Sequence, residues 1–445
     1  MAGWRFCPSH GQTGNHLCPF LDQLDFLSYH SYHLYMPTQP VSSAVLSFED
    51  ASHVVETQAA TVTPTGKESL ELVDSFGRVL AEPIFADRNF PPFRRAARDG
   101  YAVIAKDLAN LPATLQVIGE IRAGVKAESI PSITSGQAAA IMTGAPAPEG
   151  ADAVVMIEYT SQQGDRVVVN QGISAGDNIV PIGSEAKRGE QLLTAGTRLD
   201  QAAIAVAASV GKTHVLVHEK PKIAVLSTGD EVVDIDVQPG PTQIRNSNSY
   251  SLAAQIHAAG GEPLILPIAP DETERLRELI NDGLEADLLL LAGGVSIGKY
   301  DLVEEVLTEV EAEFFFTGAK IQPGKPIVFG RVDNKYFFGL PGNPVSTMVT
   351  FELFVRPMLD ALAGASPQKL RFLHAKLKSE IKIKKGLKRF LPAHLSGEFE
   401  QAWVELAPWH GSGDIASTAR SNCYLVVAPD RDHIAAGEWV PVLLR

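Results

Sequence analysis

Apolar and polar positions change their period several times along the chain, and each change marks an element or a border. Ser47-Phe48-Glu49-Asp50 reads as a helix N-cap followed by first-turn carboxylates, which favour the positive end of the helix dipole; the helix runs to about Thr57. A second helix is predicted over Ser69–Phe76, ended by Gly77. From Ala86 to about Pro181 short β-type runs (Tyr101–Ala105, Thr114–Ile121, Ala138–Met142, Ala153–Tyr159, Arg166–Asn170) alternate with Gly/Pro turns, the spacing of a small all-β domain. Glu190–Arg198 is strand and turn. Asp200 then caps the Ala-rich helix Gln201–Val210, which Gly211 closes.

Residues 220–366 alternate strand and helix. Strands are predicted at Ile223–Ser227, Pro263–Ile268, Asp287–Ala292, Ile327–Gly330 and Tyr336–Gly339. Helices are predicted at Ser247–Ala259, Glu272–Asp282, Leu302–Val310 and Val345–Leu362. Such alternation implies a parallel sheet covered on both faces, with ligands beyond the carboxyl ends of its strands. From about Ser366 short strands return, with a basic stretch over Lys376–Arg389. The expected fold is therefore α/β multidomain. A doubly wound parallel sheet domain (220–366) joins an elongated linking region (46–86 and 183–219) and two small β domains (87–182 and 367–445), after an N-terminal extension (1–45) expected to be disordered.

Composition narrows the function classes. The chain has 445 residues, 45% hydrophobic and 20% charged, which is globular composition and, at roughly 150 residues per domain, about three domains. A net charge of −14 argues against a general nucleic-acid binder. The longest apolar candidate, Leu288–Ala292, falls far short of the ~18 residues of a membrane span. Three Cys (Cys7, Cys18, Cys423) cannot build a disulfide framework, so a reducing cytoplasm is the expected compartment. The Cys7, His10, His16, Cys18 spacing hints at zinc, but its second pair is too tight for a usual finger. A disordered tail, or upstream sequence with Met36 as the true start, is the plainer reading.

Candidate chemistry collects at the predicted strand ends. The first strand runs into Ser227-Thr228-Gly229-Asp230-Glu231, the second reaches Asp271, and the third opens into Gly293-Gly294-Val295-Ser296 with Asp301 beyond. Asp230, Glu231, Asp271 and Asp301 would converge on one edge, where they repel unless a hard cation such as Mg²⁺ joins them. Helix capping by Asp271 and Asp301 is the competing reading. The Gly cluster lets backbone N–H groups approach a phosphate. Pro323-Gly324-Lys325-Pro326 presents one Lys with Lys320 nearby, and Pro341-Gly342-Asn343-Pro344 leads into a helix. Gly294–Gly298 also fits a hydrolase nucleophile elbow, but the later His374, His394, His410 and His433 all lie in the C-terminal β region, outside the sheet domain. Thr65-Gly66-Lys67-Glu68 is no P-loop, because Glu68 replaces the Ser/Thr that would hold Mg²⁺.

Six segments in order resemble the molybdopterin molybdenumtransferase family (the bacterial MoeA proteins and the related domain of gephyrin) over residues 46–445. They are Arg98–Val103, Met142–Pro146, Leu226–Glu231, Gly293–Ser296, Pro323–Pro326 and Leu340–Ser346. The resemblance implies the last step of molybdenum cofactor assembly, in which adenylylated molybdopterin and molybdate give molybdenum cofactor and AMP with a divalent cation. It implies an elongated homodimer with its cleft between the sheet domain of one subunit and the small β domain of the other, and handover involving a molybdopterin adenylyltransferase and molybdoenzymes. Asp99 and Thr143 match catalytic positions and Glu231, Asp271 and Asp301 metal positions. Glu185, in Gly183-Ser184-Glu185, keeps one acid of the family's Gly-Glu-Asp. Ser227, Thr228, Gly229, Asp230, Gly293, Gly294, Val295, Ser296, Lys320, Gln322, Lys325, Pro341 and Pro344 match pterin and phosphate positions. Gln322 stands where many members have Lys, with Lys320 to compensate. Arg94, Arg95 and Arg98 replace a neutral segment and would attract molybdate. A non-catalytic pterin-binding scaffold and insertion of tungstate are the rival readings.

Overall fold

Ser47 starts the first helix as its sequence predicts: its hydroxyl accepts from the Asp50 N–H at 3.0 Å, and the helix covers Phe48–Ala59. The computed structural model describes residues 45–294, 302–398 and 400–445. The Cys/His spacing near the N-terminus, Val295, Ser296 and Asp301 lie outside the described residues.

The central sheet contains strands β1 (Lys222–Ser227), β2 (Glu262–Ile265), β3 (Leu288–Ala292), β4 (Glu313–Phe316), β5 (Val328–Val332) and β6 (Lys335–Leu340), in the order β2-β1-β3-β6-β5-β4. The first four in that order are parallel; β5 runs antiparallel to both β6 and β4, so β4 shares the direction of the first four. The sheet is thus mostly parallel, as expected, with β5 the one reversed strand among its six. Only Asp333-Asn334 separate β5 from β6, a connection long enough for a hairpin and too short for a crossover helix. Burial alternates along the strands as a two-sided sheet requires. Ile223, Val225, Leu288, Leu290 and Phe338 pack on one face, and Ala224, Leu226, Leu289, Leu291 and Phe337 on the other. Helices Ser247–Ala259 and Pro344–Thr350 cover the first face, and Thr273–Leu284 and Leu302–Glu309 the second. The predicted single helix Val345–Leu362 is interrupted by a π-helical turn at Phe351–Val355.

The helix expected over Ser69–Phe76 is not formed. Lys67–Glu71 is a strand paired antiparallel with His214–His218, followed by a 3-10 turn over Leu72–Ser75. Pairing with a strand more than 140 residues away overrides local helix propensity, and Leu70, alternately placed with exposed neighbours, joins the core under Val215 and Val217. Asp200 does cap Gln201–Ser209, accepting from the Ala203 N–H at 2.8 Å.

The small β region forms a six-stranded sheet in the order 153–156, 100–103, 137–141, 113–121, 166–169, 160–163. Gly100 is required there: a Cβ would stand 1.8 Å from the Val155 carbonyl oxygen. The C-terminal region closes into a barrel, because Lys388–Glu398 pairs with both Gln401–Leu406 and Cys423–Val427, while Phe372–Leu377 and Trp439–Leu444 complete the ring. Ile321-Gln322 adds a short parallel strand on Lys388-Arg389, which ties the barrel to the turn before Lys325. No helix among the described residues is long and apolar enough to cross a membrane.

Candidate functional site

The carboxyl ends of β1, β3 and β6 meet at a cleft of about 390 Å³. Ser227, Thr228 and Glu231 line it from the first strand end, Gly293 and Gly294 from the second, and Pro341 to Pro344 from the third. Gly293 and Gly294 adopt φ of +103° and +63°, a region that L side chains rarely enter, so the chain turns away there without a side chain over the cleft. Glu231 folds back over Gly229, where a Cβ would lie 2.3 Å from its Oε2. Among the described residues the Glu231 carboxylate makes no hydrogen bond or ion pair.

A wall of the cleft that the strand-end motifs did not announce is the start of helix Ser247–Ala259. Asn246 caps it through Oδ1 to the Ser249 N–H at 3.1 Å, and the Asn248 amide donates to the Gly342 carbonyl at 2.8 Å. The signal was present: Asn-Ser-Asn-Ser before an apolar run is an N-cap pattern, and a helix start beside a strand end is where anions settle.

A second cleft, about 750 Å³, adjoins the first and shares Pro326, Pro341 and Asn343 with it. Gln322 and Lys325 line it from the Pro323–Pro326 turn, and Lys384, Lys385, Arg389, Trp409 and Ser412 from the barrel. Arg389 is only 8% exposed and its Nη2 donates to the Lys384 carbonyl at 2.5 Å. Its Nε and the Trp409 Nε1 are buried without a partner among the described residues. Burial lowers the Arg389 pKa from its ordinary value, but a guanidinium remains a cation at neutral pH. Two unsatisfied donors and three lysines, of which Lys385 lies 3.4 Å from Asp432 Oδ2, give this chamber a cationic lining. The basic Lys376–Arg389 stretch was visible in the sequence; its approach to Lys325 was not, because it depends on the pairing of Gln322 with Arg389. Lys320 is exposed and lines neither cleft, while its backbone bridges Leu46 and Lys388.

The acids divide into two groups. Asp230 Oδ1 accepts from the Asp271 N–H at 3.1 Å, which brings those two loops together. Asp271 does not cap the next helix: the N-cap position is Glu272, with no side-chain cap bond. No group of three His, Cys, Asp or Glu side chains able to hold a metal gathers among the described residues. Asp99 and Thr143 meet in the small β region. The Thr143 hydroxyl and N–H both donate to Asp99 Oδ1 at 2.6 Å, and these bonds, the hydroxyl's first, hold the carboxyl below the usual carboxylate range. Glu185 pairs with Arg95 at 2.7 Å. Arg94 is spent on the Ala151 and Pro148 carbonyls. Arg98 is exposed, with no hydrogen bond or ion pair among the described residues. None links residues 87–182 to 220–445 either.

Comparison with known proteins follows this geometry closely. The MoeA N-terminal region (domain I and II) matches residues 46–211, the probable molybdopterin binding domain residues 224–361, and the MoeA C-terminal region (domain IV) residues 374–444. The chain is 34% identical over 395 residues to the molybdopterin molybdenumtransferase of Nostoc sp., covering 85% of this chain and 89% of that one. It is 34% identical over 387 residues to that of Haemophilus influenzae, covering 85% and 94%. A crystal structure of the molybdopterin biosynthesis MoeA protein from Pyrococcus horikoshii superposes with a TM-score of 0.72 at 29% identity, covering 90% of this chain and all of that one. A second crystal structure of MoeA from that organism gives 0.67 at 32%, covering 90% and 99%. With three regional matches spanning most of its length, the chain belongs to the MoeA family of molybdopterin molybdenumtransferases, enzymes of molybdenum cofactor biosynthesis.

Proposed function

We propose that this chain inserts molybdate into adenylylated molybdopterin and releases AMP. The observation that carries the reading is the continuity of two clefts through Pro326, Pro341 and Asn343: a Gly-rich strand-end cleft suited to a phosphorylated pterin opens onto a chamber of cations. The dithiolene of the pterin must meet a dianionic oxyanion. Lys325, Lys384, Lys385 and Arg389 would hold that oxyanion with charge-assisted bonds, and the Arg389 Nε and Trp409 Nε1 supply donors that are otherwise unsatisfied. Ser227 to Asp230, Gly293, Gly294, Pro341 and Pro344 would line the pterin-phosphate side, joined by Val295 and Ser296.

Glu231 and Asp271 carry free carboxylate oxygens of the kind Mg²⁺ takes, and Mg²⁺ commonly pairs one or two carboxylates with substrate phosphates, so these residues and Asp301 would hold it. When bound, the cation neutralises phosphate charge. Water attacks the adenylyl phosphorus as the phosphoanhydride P–O bond breaks, so AMP leaves carrying the new oxygen and the pterin keeps its own phosphate. The two dithiolene sulfurs then replace two molybdate oxygens, which leave as water after taking up the thiol protons and two more from solvent. Asp99, kept ionised by Thr143, would position or deprotonate the attacking oxygen, with Glu185 beside Arg95. Among the described residues Asp99 shares no hydrogen bond or ion pair with the cleft domain, and in this reading a second copy would bring it there. Exposed Val73, Phe76, Phe85 and Ile182 in and beside the linking region favour such a homodimer.

The test is AMP release by purified protein given adenylylated molybdopterin and Mg²⁺. Release that requires molybdate supports the reading. No release with either oxyanion, despite tight pterin binding, would favour a scaffold, and release with tungstate alone would reassign the metal.

A further inference from the structure

Beneath the strand-end cleft lies a buried polar cluster with no charged member. Ser227, at the end of β1, donates through Oγ to Asn246 Oδ1 at 3.0 Å and lies 2.9 Å from the Ser249 Oγ. Asn246 Nδ2 donates to that Ser249 Oγ at 3.0 Å, while its Oδ1 also accepts from the Ser249 N–H at 3.1 Å. All three residues are at least 96% buried. The Asn246 main chain reaches a third element: its N–H donates to the Val233 carbonyl at 2.8 Å, and one pair earlier Ile244 donates to the Glu231 carbonyl at 2.8 Å. The Asn246 side chain and its main-chain amide thus bond to all three of the strand end, the Glu231 segment and the helix start, alongside the Ser227–Ser249 bond and the pairing of Val232–Val233 with Ile244–Arg245.

We infer that Asn246, backed by Ser249, is a positioning residue for the pterin cleft. It holds the helix start and the Glu231–Val233 segment in register with Ser227, and so sets affinity for the pterin substrate without taking part in bond breaking. The inference rests on the reading that this cleft takes the pterin. Burying a serine pair and an amide is unfavourable unless every group is bonded, and here the bonds are spent on one another rather than on ligand. Aspartate caps a helix as well as asparagine does, and both serine hydroxyls can rotate to donate to its two oxygens, so Asn246→Asp preserves the junction. Asn246→Ala removes it.

The test uses the full chain. Binding of molybdopterin is measured anaerobically by equilibrium ultrafiltration, and KM and kcat are measured for adenylylated molybdopterin. Asn246→Ala is expected to weaken binding and raise KM by roughly three- to tenfold, the worth of one net hydrogen bond, with kcat within about twofold. Asn246→Asp is expected to return both to near the parent values. If Asn246→Ala does not fold, Ser249→Ala, which leaves the cap oxygen in place, should give a smaller shift of the same kind. A lowered Tm with parent affinity and KM would overturn the inference, since that is the signature of a merely structural residue. Equal loss in the Ala and Asp variants would also overturn it, because the amide would then be touching ligand. Absence of saturable molybdopterin binding by the parent protein would instead remove the reading on which the inference stands.

Discussion

Thr143 gives both of its donors, the main-chain N–H and the hydroxyl, to a single oxygen of Asp99, each at 2.6 Å. The two residues are 44 positions apart and meet because Gly100–Val103 pairs antiparallel with Gln137–Ile141. The second Asp99 oxygen has no hydrogen-bond partner among the described residues, and the residue is exposed. Because the folded pKa is depressed, Asp99 stays ionised to lower pH than an ordinary carboxyl. Its stabilising bonds are present above the unfolded carboxyl pKa and are lost only as pH falls through the lower folded value. Thr143→Val deletes the larger cause and keeps the N–H. The Asp99 pKa should therefore rise part of the way back to the ordinary value, read by carboxyl NMR titration. Asp99→Asn should lower AMP release by about a hundredfold or more if the carboxylate acts on the attacking oxygen. Parent turnover in that variant would remove Asp99 from the chemistry.

The basic chamber and the strand-end cleft share Pro326, Pro341 and Asn343 at a common rim, and beyond it they are lined by different side chains. Arg389→Lys keeps the charge yet loses the planar fork whose Nη2 is anchored on Lys384 and whose Nε is free. The molybdate concentration giving half-maximal AMP release should rise by about tenfold, and Lys325→Gln should act in the same direction. Pterin KM should stay near the parent value in both. A matching rise in pterin KM would mean that the chamber holds part of the pterin substrate.

Glu185 and Arg95 form an ion pair whose side chains are 52% and 33% exposed, so its contribution to stability is small. Chemical denaturation should place Arg95→Ala and Glu185→Gln within about 1 kcal/mol of the parent. Turnover separates the two. Glu185→Gln is expected to slow AMP release more than Arg95→Ala, and parent rates in both would restrict the pair to the surface.

Two glycines on the cleft wall make a matched pair of substitutions. Gly294 has φ of +63°, and a Cβ there would stand 2.7 Å from both Thr228 Oγ1 and Val303 Cγ2. Gly342 is open, with its nearest neighbour the Gly293 Cα at 3.6 Å. Thermal melts should therefore show Gly294→Ala clearly destabilised and Gly342→Ala close to the parent. Gly342→Ala still adds a methyl to the cleft, so it should weaken pterin binding without a loss of Tm.

Much of the sheet domain was legible because its strands carry their own signal. Leu288–Ala292 is buried on both faces and reads as a continuous apolar run, and Ser247–Ala259 begins and ends where its Asn cap and Gly260 predict. Ser69–Phe76 misled because a strand of mixed polarity at a sheet edge looks like a short amphipathic helix until its partner, His214–His218, is known. The reversed strand β5 was missed for the same kind of reason: strand direction belongs to the connection and not to the strand. At the site, the Gly-rich turns and acids were readable as motifs, whereas Trp409 carries no motif of its own, and Asn246 and Arg389 showed only as part of a cap pattern and a basic stretch that said nothing of a cleft. Arg94 and Arg95 looked like free cations in sequence, yet two carbonyls and Glu185 hold them.

The order of residues alone determined that a strand–helix domain would end its strands in glycines and carboxylates, because local periodicity, caps and backbone freedom are properties of neighbouring residues. Only the tertiary structure decided which groups share a cavity. It joined Gln322 to Arg389 and so set Lys325 among the barrel cations, it spent Ser227 on Asn246 and Ser249, and it left Asp99 with Thr143. The physical reason is that a hydrogen bond or a shared wall depends on distance in space, and chain segments far apart in sequence come within a few ångströms only after the cores beneath them have packed.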